Sequence, residues 1–262
     1  MSPDRDKALA GKVVVVTGAS RGIGKGLALG LARLGAPVVC AARTVSEDPG
    51  GLPGTIHATV DAIRAEGGDA VAVRCDIGQA DDIAQLVDTT IAEFGRLDVL
   101  INNAMASTRA LFADATPDQW DESMRINVRS LFVTAKAVVP VMASNGGGSI
   151  VNISSGAADH AVGPHMPPGY LIYTVAKAAL ERFSTALAFE VSSLGVAVNA
   201  LRPGAVKTEL STHELGEDFD WSAWKTPDSV VPPVAFLAAQ NGSGLTGKVL
   251  DVANFGRDWG VD

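Results

Sequence analysis

Tyr173 and Lys177 stand four residues apart at the end of a stretch, 149–177, that also holds two adjacent hydroxyls, Ser154 and Ser155. A free phenol titrates near about 10, so it exchanges protons at neutral pH only with help from a nearby cation. At i and i+4 of a helix two side chains share a face, with Cβ atoms about 5–6 Å apart. Lys177 is therefore placed to supply that cation. A serine hydroxyl at a strand end can polarise a substrate oxygen. The chemistry to which these residues point is proton transfer to or from an oxygen of a bound substrate.

For the groups to meet, 150–153 must be a buried strand, as its β-branched run predicts. The apolar-periodic stretch 173–194 must be a helix, reached through a Gly/Pro-rich loop. Upstream, the short apolar run 12–17 leads into TGASRGIG (17–24) and a helical pattern to about Leu34. Strand, glycine turn and helix in that order predict a phosphate-binding site at the helix start. Gly18 permits the tight turn, while Gly22 and Gly24 let the backbone approach a pyrophosphate. Gly22, Gly26 and Gly30 share a helical face, which predicts close packing of this helix on the sheet. The second strand, 37–42, ends in Ala42 and Arg43. A free ribose 2′-hydroxyl usually meets an acidic residue there and a 2′-phosphate an arginine. With Arg43 at the strand end and Arg21 in the turn, NADP(H) is expected over NAD(H).

The remaining chain alternates in the same way. Residues 44–54 are a turn-rich insertion, 55–66 a helix and 70–74 a third strand. Asp76 just beyond can cap a helix, hydrogen-bond an adenine amino group, or do both. A helix over 83–94 and a strand over 97–101 follow, the strand ending in Asn102 and Asn103, amides suited to sugar hydroxyls or to tying strands together. A long helix over 117–143 starts with Thr116 as cap and Pro117 in its first turn. Asn127 lies on its apolar seam and reads as structural. The sixth strand is 196–201, and 202–208 leaves its carboxyl end, where open parallel sheets bind ligands. Residues 209–226 read either as a mobile lid whose rings cover an apolar substrate or as surface helices docked by their tryptophans. A helix over 227–239 and a strand over 247–252 complete the pattern. The apolar tail 253–262, with Phe255 and Trp259, is expected to dock on another subunit. Alternating strands and helices predict an α/β, doubly wound parallel sheet in a single domain, 1–262.

With 47% hydrophobic residues in 262, the chain can bury a large core. A net charge of −8 and a pI near 5.0 argue against nucleic acid or an anionic membrane as partner. No run approaches 18 apolar residues. The polar start is unlike a signal peptide, and Cys40 and Cys75 lack zinc spacing. A cytoplasmic protein with reduced thiols and no metal is expected.

Taken together, TGASRGIG, Asp76, NNA (102–104), Asn127, IVNISS (150–155), YTVAK (173–177) and PGAVKT (203–208) resemble the short-chain dehydrogenase/reductase family, in its order and near its spacings. The resemblance implies a seven-stranded Rossmann sheet of order 3-2-1-4-5-6-7. It implies a catalytic set of Ser155, Tyr173 and Lys177 assisted by Asn127, in place of the structural reading of Asn127. In that set Lys177 lowers the phenol pKa and holds the nicotinamide ribose, and Asn127 anchors a water. The cofactor phosphates are implied to lie on Gly18, Ser20, Arg21, Gly22, Ile23 and Gly24, and the adenosine on Arg43, Asp76 and Ile77. Asn103, Ala104, Tyr173, Pro203 and Gly204 are implied to bind the cofactor too, with Lys177 on the nicotinamide ribose and Thr208 and the backbone near Val206 on the nicotinamide carboxamide. Family members are commonly homotetramers or dimers joined through the helices at 117–144 and 173–194. Two departures stand out: Met105 replaces the usual glycine after NNA, and the Ser155–Tyr173 gap is longer than typical.

The expected activity is reduction of a ketone or aldehyde by NADPH, reversible with secondary alcohols. Met105, Met166, Phe219, Trp221 and Trp224 suggest an apolar or aromatic substrate. A cofactor-binding sensor or scaffold without turnover is the reading from another class, and C=N or C=C reduction the enzymatic alternative.

Overall fold

The computed structural model describes residues 8–160 and 168–259. Seven strands, β1 (Val14–Thr17), β2 (Val38–Ala42), β3 (Ala70–Arg74), β4 (Val99–Asn102), β5 (Gly148–Ile153), β6 (Val196–Arg202) and β7 (Val249–Asp251), form one sheet. Its order is β3-β2-β1-β4-β5-β6-β7, and every pairing is parallel. Helices α1 (Gly22–Arg33), α2 (Ile56–Ala65) and α8 (Val231–Ala238) cover one face. Helices α3 (Ala80–Phe94), α5 (Ser130–Ser144) and α6 (Leu171–Val191) cover the other. Strand alternation explains the two layers: Val14 and Val16 join the first core, Val13 and Val15 the second. Both faces being buried, the strands read as continuous apolar runs.

The predicted long helix is continuous from Pro117 to Ser144, with a refinement. Thr116 and Gln119 form a capping box that starts α4 (Pro117–Met124). A π-helical turn, Arg125–Arg129, then precedes α5, and Asn127 sits inside it. By length and composition this helix is apolar enough to cross a membrane, although no uninterrupted apolar run announces it. Here its face carrying Ala135, Val138, Val139 and Met142 packs in the core beside the sheet.

Three expectations are corrected. The small face of α1 meets the α8 end of the chain: a Cβ on Gly26 would lie 2.5 Å from Pro227 and one on Gly30 2.4 Å from Val231. Close packing is indeed what these glycines permit, but against another helix region. The apolar tail docks on its own subunit, with Trp259 buried against Phe255 and Phe236. Beyond α7 (Glu209–Leu215) there is no second helix before Thr226; Phe219, Trp221 and Trp224 stack edge-on upon one another. Lys207 lies 4.8 Å above the Trp221 ring and anchors that cluster.

Cys40 and Cys75 are buried and unpaired, and burial pushes both thiols up to about 12. They stay protonated at neutral pH and act as small apolar groups.

Candidate active site

The strand order reverses between β1 and β4, and open parallel sheets bind ligands outside the carboxyl ends at such a point. A cleft of about 950 Å³ lies there. At one end the glycine turn is shaped for close approach. Gly18 has φ +69°, and a Cβ on it would meet Asn103 Nδ2 at 2.8 Å and Ala104 Cα at 2.9 Å. A Cβ on Gly24 would lie 2.2 Å from the Gly18 carbonyl oxygen. No larger residue fits either place. The Gly22 N–H, at the start of α1, donates to the Glu209 carboxylate at 2.8 Å. An acidic side chain of α7 thus sits where the exposed N–H groups of α1 attract anions.

At the other end lies the hydroxyl cluster. Ser154 is turned inward and donates to Glu181 Oε1 at 2.7 Å. Ser155 instead hydrogen-bonds Tyr173 and accepts from the Ala157 N–H at 3.1 Å. The local geometry therefore separates the two serines, which sequence left side by side. Lys177 is buried, donates to the Ile153 carbonyl at 2.7 Å, and lies 5.8 Å from the centre of the Tyr173 ring. Burial lowers its pKa to about 8, with Glu181 opposing the fall. The phenol moves the opposite way from expectation. Burial raises the Tyr173 pKa and outweighs the hydrogen bond with Ser155, which lowers it. Lys177 is not among the groups that shift it here.

The chain has known relatives. A family model for short chain dehydrogenases matches residues 12–218. The chain belongs to the short-chain dehydrogenase family. It is 34% identical over 252 residues to a 3-oxoacyl-[acyl-carrier-protein] reductase of Synechocystis, covering 94% of this chain and 96% of that one. A protein from Beutenbergia cavernae, described as an NAD(P)-dependent gluconate 5-dehydrogenase with NADP bound at low occupancy, superposes with a TM-score of 0.81. The two are 32% identical, with 94% of this chain and 97% of that one covered. A short chain dehydrogenase of Burkholderia cenocepacia in complex with NADP gives 0.80 at 28% identity, over 93% and 97% of the two chains.

Most residues singled out from the sequence line the cleft of this short-chain dehydrogenase. Ser20, Arg21, Ile23, Arg43, Asp76 and Ile77 line it, as do Pro203, Gly204, Val206 and Thr208. Asn103, Ala104, Met105, Ser155, Tyr173, Lys177 and Trp224 fill in the rest. Phe219 and Trp221 do not line it, because they pack on each other and on Lys207. Met166 lies outside the described residues.

Several individual roles change. Arg21 is not free for a 2′-phosphate: its Nε and Nη2 donate to the Pro53 and Gly54 carbonyls at 2.9 Å each, tying down the 44–54 insertion. Arg43 makes no hydrogen bond or ion pair among the described residues and faces the field of Glu122. Asp76 does not cap α3, whose N-cap is Gln79; its Oδ1 accepts from the Gly78 N–H at 2.9 Å. Both asparagines of 102–103 tie strands together, Asn102 to Asn152 and Asn103 to the Thr17 carbonyl. Asn127 is buried beside the cleft-lining Ala106, and its carboxamide bonds the Ala106 backbone and Ser123.

Sequence reasoning missed an ion pair across the mouth. Arg109 Nη2 meets Glu214 of α7 at 2.5 Å, and the same guanidinium lies 4.3 Å above the Tyr170 ring. Tyr170 in turn packs edge-on against Tyr173 at 6.2 Å. It also missed Glu209 and Glu181, whose partners lie far away in the chain.

Proposed function

We propose that this short-chain dehydrogenase reduces ketones or aldehydes with NADPH and, in reverse, oxidises secondary alcohols. The observation that carries the reading is the convergence of Ser155, Tyr173 and Lys177 in one cleft with the glycine turn of α1. The glycine cradle, which a Cβ would fill, and Arg43, which has no hydrogen bond or ion pair among the described residues, fit a 2′-phosphorylated dinucleotide. The phosphates would rest on Gly18, Ser20, Gly22, Ile23 and Gly24, the 2′-phosphate on Arg43, and the adenine beside Asp76 and Ile77. The ribose end would lie along Asn103, Ala104, Tyr173 and Lys177, and the nicotinamide along Pro203, Gly204, Val206 and Thr208. Relatives with NADP bound support the same choice.

When bound, the cofactor supplies the hydride. Tyr173 donates the proton that the carbonyl oxygen needs, and Ser155 holds that oxygen by a hydrogen bond. A phenol whose pKa burial has raised is loaded with its proton at neutral pH, which suits reduction. Lys177, charged below about 8, keeps a cation beside the phenolate that forms. Met105, Trp224 and Tyr170 give the mouth an apolar lining suited to an apolar or aromatic group next to the carbonyl. NADPH consumption against aliphatic, aryl, steroid and acyl-thioester ketones tests the reading. Turnover of at least one class is expected; NADPH binding without turnover of any would favour a sensor.

The Glu209 carboxylate must leave the Gly22 N–H before a pyrophosphate can take its place. Glu209→Gln removes a competing negative charge, so NADPH should bind several-fold more tightly, most of all at low salt. Fluorescence titration measures this, and equal or weaker binding would show that Glu209 does not compete.

We further propose a homo-oligomer built on α4 to α6. Phe189 is 89% and Phe132 57% exposed, a large apolar display for helices otherwise packed on a sheet. Phe189→Glu should shift the mass measured by light scattering toward the monomer; an unchanged mass would place the interface elsewhere.

A further inference from the structure

Among the described residues, a knot of charged and polar groups surrounds the buried Glu181. Arg202 grips its carboxylate with both arms, Nε to Oε1 at 2.7 Å and Nη2 to Oε2 at 2.8 Å. Ser154 Oγ donates to the same Oε1 at 2.7 Å. Arg202 Nη1 extends the knot to Asp159 at 3.0 Å. Each member sits next to something the site uses. Ser154 precedes Ser155, and the preceding carbonyl, Ile153, receives the Lys177 ammonium. Arg202 immediately precedes Pro203 and Gly204 of the cleft wall. Asp159 follows the 3₁₀ turn Gly156–Ala158 that Ser155 caps. Glu181 is one helical turn beyond Lys177 on the same face of α6.

A buried ion pair of this kind is a weak source of stability, because desolvation offsets most of the attraction. That makes a purely structural explanation for three tied elements incomplete. We propose that Glu181 is a positioning residue of the reaction centre: its carboxylate fixes the ends of β5 and β6 against α6 and provides the negative charge that faces Lys177. Among the described residues, the charged and titratable groups around Lys177 come from four places. Tyr173 and Glu181 share its helix, Arg202 comes from β6, and Asp159 follows the 3₁₀ turn. The π-helical turn packed on α6 brings Arg125 and Arg129, and Arg125 is paired with Glu122 of α4. Arg109 and Glu214 act on Tyr173. The charge that supports the Lys177 cation is Glu181, working against burial.

The kinetic side of this inference rests on the carbonyl-reductase reading, so the primary test avoids turnover. In the full-length protein with ¹³Cε-labelled lysines, the Lys177 resonance is assigned by its loss in Lys177→Arg and then titrated. The wild type should titrate near 8. In Glu181→Gln the value should fall by on the order of one unit, since a nearby opposite charge is lost. Glu181→Asp keeps the charge and should restore most of the fall. The pair Glu181→Met with Arg202→Met replaces the buried ions by apolar volume, a change that is often neutral for folding. It should show a smaller fall in the same direction. In turnover assays, the alkaline limb of kcat/KM should move down by the same interval as the titration. A folded Glu181→Gln or paired variant in which Lys177 titrates as in the wild type would overturn the proposal. Unfolding of both variants would overturn it too, leaving the carboxylate a structural tie alone. A wild type that turns over no carbonyl, while its titration shifts as described, would contradict the reductase reading and leave Glu181 as assigned.

Discussion

Tyr173→Phe is expected to lower kcat for carbonyl reduction by about 10²–10⁴-fold, the range that a positioned proton donor contributes. NADPH binding should fall far less, because the ring that packs against Tyr170 remains in place. The pH dependence carries the same logic. Reduction needs the phenol protonated, and burial raises the Tyr173 pKa, so the donor stays loaded through neutral pH. The first group lost on raising the pH is Lys177, which burial brings down to about 8. Reductive kcat/KM should therefore hold on the acid side of that value and decline above it. Alcohol oxidation needs the phenolate and should rise only at higher pH, where the buried phenol begins to ionise. Full turnover by the Phe variant would remove Tyr173 from the chemistry.

Arg43→Ala is expected to weaken NADPH binding selectively. A charge-assisted contact contributes about 1.5–3 kcal/mol, and the exposure of Arg43 argues for the lower end, about tenfold in Kd. NADH lacks the 2′-phosphate and should bind almost as before. Arg21→Ala should act differently: its guanidinium holds the Pro53 and Gly54 carbonyls, so both cofactors should be affected alike through the insertion. Parallel calorimetric titrations of the two cofactors separate these outcomes. Equal losses of NADPH and NADH in Arg43→Ala would mean that this side chain does not read the 2′-phosphate.

Features that depend on local periodicity were legible in the sequence. Tyr173 and Lys177 share a face because any helix places i and i+4 together, and α6 is such a helix. The sheet order follows from strand and helix alternation combined with the family motifs, and the structure has that order. Thr116 caps its helix through a contact three residues along the chain. What stayed hidden depends on which element lies beside which. Glu209 reaches Gly22 across 187 positions, and nothing in an acidic stretch marks one carboxylate as the one that folds back. Glu181 looks like a solvated helix charge until Arg202 and Ser154 are brought to it. Gly26 and Gly30 announce close packing, but the partner, Pro227 and Val231, is set by the tertiary fold. Arg21 was misjudged because its competitor is a backbone carbonyl, which has no sequence signature. Trp224 lines the cleft as expected, whereas Phe219 and Trp221 do not, because an aromatic cluster satisfies itself as readily as it covers a ligand.

The central claim is hydride transfer to a carbonyl carbon in the cleft that Tyr173 lines. Its most direct test is to incubate the wild-type protein with the ketone panel and NADPH deuterated at C4 in either configuration, then examine the products by mass spectrometry. One deuterium on the carbinol carbon of a product alcohol, from one of the two labelled cofactors and absent with Tyr173→Phe, is the predicted result. Bound NADPH that is never oxidised, or oxidation that leaves no deuterium in any alcohol, would contradict the account.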